Sequence, residues 1–152
     1  MFGLIVTVMT PCEISNDNYD IKNNMRIYNS KFHSEENVKV HLIYHLEDSL
    51  NTNDLNEYNI EKICAHIDGH LQSADKPNKN VLIHCMAGMN RSVSLIIAYL
   101  LRKKEYNELG FYGIKQMILD KRGGQIVTNG FFEKFLLEYE QIMRKKINEN
   151  SL

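Results

Sequence analysis

Nine consecutive residues carry most of the reactive chemistry in this chain: His84-Cys85-Met86-Ala87-Gly88-Met89-Asn90-Arg91-Ser92. An apolar stretch precedes them and a largely apolar stretch follows, so they read as a tight turn from a buried strand into a buried helix. Such a turn aims successive backbone N–H groups into one concavity, and the helix adds the positive end of its dipole. Gly88 opens backbone conformations that a side chain would forbid. A concavity formed by the amides of Met86, Ala87, Gly88, Met89 and Asn90 suits a tetrahedral dianion. Arg91, six residues after Cys85, adds a planar fork for two of its oxygens. Cys85 sits at the base of the cup. The donors that favour phosphate also favour a thiolate, so its pKa should fall from about 8.5 into a range of roughly 3.5–7.5. A thiolate held against bound phosphorus is placed for in-line attack and a phosphocysteine intermediate. Ser92 can hydrogen-bond the sulfur when it leaves again, and His84 is expected to orient the loop through backbone contacts rather than act as a base. A bare Cys-x5-Arg arises by chance in about one such chain in ten, and the flanking His, Gly and Ser remove roughly four further orders of magnitude.

The surrounding elements must hold this turn. Gly3 to Met9 is a β-branched apolar run closed by Thr10 and Pro11, and it reads as a buried strand. A polar, Asn-rich loop is expected from Glu13 to Asn24, then a short edge strand from Met25 to Phe32. Lys39 to Leu46 alternates as a strand, with Val40, Leu42 and Tyr44 on one face and His41, Ile43 and His45 on the other. From Asn56 the period becomes helical, with Ile60, Ile63, Ile67 and Leu71 on one stripe. Val81 to His84 is the strand that feeds the turn, and Ser92 to Glu105 the helix that leaves it. Its last cations, Arg102, Lys103 and Lys104, suit a helix C-terminus. Two more helices are expected, from Asn107 to Arg122 before Gly123 and Gly124, and from Asn129 to about Lys146. Interleaved strands and helices predict an α/β fold, a mostly parallel sheet flanked by helices, in one domain spanning residues 1–152.

Composition narrows the function classes. The chain has 152 residues, 18 basic and 19 acidic side chains and a formal net charge of −1. No global positive field draws in a nucleic-acid backbone. No stretch reaches the length of a membrane span, and the apolar start from Phe2 to Met9 lacks a basic leader, so a cytoplasmic or nuclear location is expected. Three cysteines without CxxC spacing suggest neither a disulfide scaffold nor a zinc site. His66 and His70 are four apart on a helix but have no evident third ligand, so they read as helix surface, and no metal or cofactor is expected. Cys64 sits among Ile60, Ile63 and Ile67 and reads as core. Cys12 follows the first strand; in a parallel sheet it would share an edge with Cys85, where it could resolve an oxidised sulfur.

The segment around Cys85 resembles the His-Cys-x2-Gly-x2-Arg-Ser signature of dual-specificity protein phosphatases, and its Met-Ala-Gly-Met-Asn-Arg-Ser wording is similar to the compact poxvirus-type and kinase-phosphatase-type members. The resemblance extends to Val81-Leu82-Ile83, to Ile97-Ala98-Tyr99-Leu100, and overall from about Leu4 to Met143. It implies a protein tyrosine phosphatase-like fold with a shortened N-terminus and hydrolysis of phosphotyrosine, phosphoserine and phosphothreonine in proteins. It also implies a general acid after the preceding strand. Leu46-Glu47-Asp48-Ser49 matches that place, with Asp48 the carboxylate carried over and Glu47 and Asp54 its competitors. Asn129 matches an Asn that braces the phosphate loop in the family, with Thr128 where Pro is usual. The family's extra strand pair, which lies beside the strand feeding the nucleophile, has no counterpart before Gly3. That leaves Val81 to His84 to be covered by Met25 to Phe32, paired with a second copy of the chain, or exposed. A shallow pocket, and hence dual specificity, is the corresponding expectation. Two other readings stay open: a phosphatase of an RNA 5′ end or a phosphoinositide, and a weakly active phosphate-binding module. The loop lacks the Lys of lipid-directed relatives and has Ser92 where RNA-directed relatives tend to have Thr. It keeps the nucleophile that degenerate members lose.

Overall fold

The computed structural model describes residues 3–10, 25–29, 40–74 and 79–150. The first apolar run forms β1 (Leu4–Met9), with Leu4, Val6 and Val8 buried and Thr7 also enclosed. It is flanked in parallel by β3 (Val40–His45) and β4 (Val81–His84). β2 (Met25–Asn29) runs antiparallel along the outer side of β3, which gives the order β2-β3-β1-β4. The second strand therefore does not cover β4: it adds to the opposite edge, and among the described residues β4 has a strand on one side only.

Four helices complete the fold. α1 (Glu57–Gln72) begins at Asn56, whose side chain accepts the Asn59 N–H at 2.9 Å, a cap typically worth about 1 kcal/mol. Its stripe of Ile60, Ile63, Cys64 and Ile67 is buried. The stripe ends on His70 rather than Leu71, so His66 is exposed while His70 turns into the interior.

α2 (Arg91–Leu101) is apolar on nearly every side because it is packed on every side: β1 and β4 lie against it, and so do α1 and the two later helices. Each large apolar side chain enclosed this way contributes about 1.5–3 kcal/mol. The helix stops before Arg102 and Lys103, short of the expected Glu105. The two cations pair with α1: Arg102 with Asp68 and Glu61, at 3.0 and 3.3 Å, and Lys103 with Asp68 at 2.9 Å. Asn107 then donates to the Leu101 carbonyl at 2.9 Å and closes the helix end.

α3 (Lys104–Arg122) starts three residues earlier than the sequence pattern indicates, because it is two helical pieces joined at Gly110, where φ is +69°. Glu140 fills the break, its carboxylate accepting the Phe111 N–H at 2.8 Å and an Arg144 N–H at 2.7 Å. α4 (Gly130–Glu149) is capped by Asn129 and buries Phe132, Leu136, Tyr139 and Met143. Among the described residues no helix is long and apolar enough to cross a membrane.

Candidate active site

Because β1, β3 and β4 run parallel, their C-terminal ends share one edge of the sheet, where α/β folds place their ligands. β4 delivers Cys85 to that edge, and the loop after β3 delivers Asp48. Cys12 lies outside the described residues, so its distance from Cys85 is not part of this geometry.

Cys85 is half-buried. Its Sγ lies 3.2 Å from the Ser92 Oγ and accepts the Gly88 N–H at 3.2 Å. Gly88 adopts φ +65°, the left-handed conformation that lets the loop curl over the sulfur. Partial burial works against charge on Cys85. The Ser92 hydroxyl, the backbone N–H groups of Ser92 and Gly88 and the positive Arg91 outweigh it, holding the thiol below its ordinary value. Arg91 is buried as the first residue of α2, at the positive end of the helix that points at the sulfur. Cys64 shows the opposite outcome: burial pushes its thiol up to about 12 despite the nearby Arg102.

His84 ends β4, paired with Thr7 of β1, and its side chain adds a contact of its own. Its Nε2 lies 2.8 Å from the Thr7 hydroxyl on β1, joining the loop entrance to the sheet centre. On the far side, Arg122 at the end of α3 donates to the Gly88 carbonyl, and the Met89 carbonyl accepts the Val127 N–H at 2.9 Å. Met86 and Met89 keep their side chains exposed, while the Gly88 N–H turns to the sulfur.

Asn90 is the hub between the phosphate loop and its neighbours. Its Oδ1 accepts the Thr128 N–H at 2.8 Å and the Asn129 N–H at 3.2 Å, while its Nδ2 donates to the Asp48 carboxylate at 3.1 and 3.4 Å. Asn129 donates from its own Nδ2 to Asp48 Oδ1 at 2.8 Å and to the Ser49 carbonyl at 3.0 Å. The Asn129 side chain thus reaches the loop after β3, and the contacts to Asn90 are made by the Thr128 and Asn129 N–H groups and the Thr128 hydroxyl. Of the three carboxylates after β3, Asp48 is the one these amides tie to the phosphate loop. Asp54 is engaged in the turn before α1, its carboxylate with the Thr52 hydroxyl and its carbonyl with Tyr44 and Asn59. Glu47 is exposed.

Sequence reasoning did not single out the side chains of Asn90, Thr7 and Arg122 for these contacts. Their partners lie 34 to 77 residues away along the chain, and nothing in local spacing signals them. Among the described residues no cluster of three His, Cys, Asp or Glu side chains has the arrangement of a metal site.

A family model described as "Dual specificity phosphatase, catalytic domain" matches residues 5–142. The dual specificity protein phosphatase OPG106 of monkeypox virus is 35% identical over 81 residues, covering 52% of this chain and 47% of the relative. A putative tyrosine phosphatase, 123R, of invertebrate iridescent virus 6 is 33% identical over 100 residues, covering 53% of this chain and 70% of that one. The chain therefore spans about half the length of the poxvirus relatives it matches. In fold, the crystal structure of Tk-PTP in its active form superposes with a TM-score of 0.64 at 21% identity, over 92% of this chain and 79% of that chain.

Proposed function

The chain belongs to the dual specificity phosphatase family by its catalytic domain, and on that premise we propose that it hydrolyses phosphotyrosine and phosphoserine or phosphothreonine in proteins through a phosphocysteine intermediate. The observation that carries this reading is the Cys85 sulfur, flanked at 3.2 Å by the Ser92 hydroxyl and the Gly88 N–H at the N-terminus of α2. In the first step the thiolate forms an S–P bond while the ester P–O bond breaks, and Asp48 gives its proton to the departing oxygen. In the second, water attacks phosphorus, its proton goes to Asp48, and the S–P electron pair returns to sulfur. Ser92 donates to the sulfur as it leaves. The amides of residues 86 to 90 and the Arg91 fork hold the equatorial oxygens throughout with charge-assisted hydrogen bonds.

The test is hydrolysis of a small aryl phosphate in EDTA. Turnover should persist in the chelator, and Cys85→Ser should abolish it while leaving substrate binding, because the amide cup remains. Arg91→Lys should be severely impaired, since an ammonium cannot make the two-point contact. Full activity in Cys85→Ser would overturn the assignment. An RNA 5′ end or a phosphoinositide is the second substrate class; the loop supplies no Lys for a multiply charged head group, which favours the protein substrate.

A further inference from the structure

The loop that carries Asp48 runs from the end of β3 to the start of α1 without regular secondary structure, so something other than a backbone ladder must aim its carboxylate. Two side-chain amides do so, and their orientation is fixed independently of Asp48. A backbone N–H can only donate. The Phe131 N–H meets Asn129 at 2.9 Å, which identifies that atom as Oδ1 and leaves Nδ2 to face Asp48. The Thr128 and Asn129 N–H groups do the same for Asn90. Among the described residues, the N–H donors that meet the Asp48 carboxylate come from these two amides, and unequally. Oδ1 accepts Asn129 at 2.8 Å and Asn90 at 3.4 Å, whereas Oδ2 accepts Asn90 at 3.1 Å.

A neutral carboxyl has one good acceptor, its carbonyl oxygen, and one hydroxyl oxygen that accepts poorly and donates. We propose that Asn129 is a positioning residue for proton transfer: by donating to Oδ1 it keeps that oxygen as the carbonyl and leaves Oδ2 to carry the proton toward the leaving group. The Ser49 carbonyl, accepting from the same Nδ2 at 3.0 Å, fixes the backbone on which Asp48 sits. Because Asn129 also caps α4, the acid is referenced to a buried helix rather than to its own loop. In the forward step the Oδ2–H bond breaks as the ester P–O bond breaks, and the proton goes to the leaving oxygen. In the return step Oδ2 takes the proton of the attacking water. The inference rests on Asp48 being the general acid.

The experiment compares p-nitrophenyl phosphate, a good leaving group that needs little protonation, with phenyl phosphate, a poor one. Asn129→Ser keeps a hydroxyl acceptor for the Phe131 N–H and so preserves a cap, but it removes the donor to Asp48. Asn129→Thr keeps the cap in a second form and also lacks the amide donor. Each should lose about tenfold more kcat/KM on phenyl phosphate than on p-nitrophenyl phosphate, within the range that an ångström of misplacement produces. In an Asp48→Asn background, Asn129→Ser should add less than about twofold, because its effect passes through Asp48. Equal losses on both substrates, or full additivity in the double variant, would overturn the proposal. If Asp48→Asn itself shows no dependence on the leaving group, the acid assignment fails first, which is distinguishable from failure of the role of Asn129.

Discussion

Two cysteines in one small fold are driven to opposite chemistry by their immediate partners. Cys64 is enclosed among isoleucines, and its thiol is pushed up to about 12; Cys85 meets a hydroxyl, two backbone N–H groups and a guanidinium that together outweigh its partial burial. Alkylation by iodoacetamide should therefore label Cys85 with a pH midpoint below the ordinary thiol value of about 8.5, and Cys64 only after unfolding. Ser92→Ala should move that midpoint upward, since the Ser92 hydroxyl is the first of the groups opposing burial. Stability should carry the same signature. A thiol whose folded pKa lies below its unfolded one stabilises the fold fully above the unfolded value, and that contribution is lost as pH falls through the folded value. Urea unfolding followed downward from about pH 9 should show this slope, and Cys85→Ser should flatten it. The grouping of Cys85, Arg91 and Ser92 was legible from the sequence because one nine-residue turn contains them all.

The elements were legible to the extent that their apolar periods were uninterrupted. α1, β1, β3 and β4 fall within a residue or two of their expected bounds, because a single face decides each of them. α2 and α3 depart because their boundary is set by ion pairs and by a glycine rather than by hydrophobic period. Arg102 and Lys103 turn toward Asp68 on α1, and Gly110 breaks α3 where the Glu140 carboxylate supplies the missing acceptor. Gly110→Ala should show the strength of that device. An added Cβ would lie 3.1 Å from the Glu140 carboxylate at a φ of +69°, so the loss should exceed the ordinary conformational effect and reach about 1–2 kcal/mol in urea unfolding. A second device sits at the other end of α3, where Arg122 donates to the Gly88 carbonyl. Across a trans peptide the N–H of the next residue points away from that carbonyl, so Arg122 turned outward keeps the Met89 N–H turned inward to the cup. Arg122→Ala should then raise the inhibition constant of inorganic phosphate about fivefold, an effect of the size of one lost hydrogen bond, while the melting temperature changes little because the side chain is exposed.

At the scale of the whole molecule, the site is an edge phenomenon. Parallel pairing of β1 with β3 and β4 brings residues 48 and 85 to the same end of the sheet, and α2, α3 and α4 then close behind the phosphate loop. Asn129 and Asp48, 81 residues apart, meet only because of that closure, which is why the sequence named both residues but not the bond between them. The second strand was visible as a strand, but its place was not: pairing outside β3 depends on which edge is free, and that is a property of the sheet. The turn after β4 keeps the Met86 side chain 77% exposed, one residue from the half-buried Cys85. If the pocket around Cys85 is shallow, as the family resemblance implies, phosphotyrosyl and phosphothreonyl peptides should both be turned over. The two substrates differ in what they offer that side chain. A tyrosyl ring can lie against the Met86 thioether, a sulfur–aromatic contact worth about 0.3–1.5 kcal/mol, whereas a threonyl side chain presents one methyl group. Met86→Ala should accordingly lower kcat/KM for the phosphotyrosyl peptide by about fivefold and for the phosphothreonyl peptide by less than twofold, narrowing the preference between them. Activity confined to phosphotyrosine in the unaltered protein, or equal losses on both peptides in the variant, would show that walls outside the phosphate loop set the specificity instead.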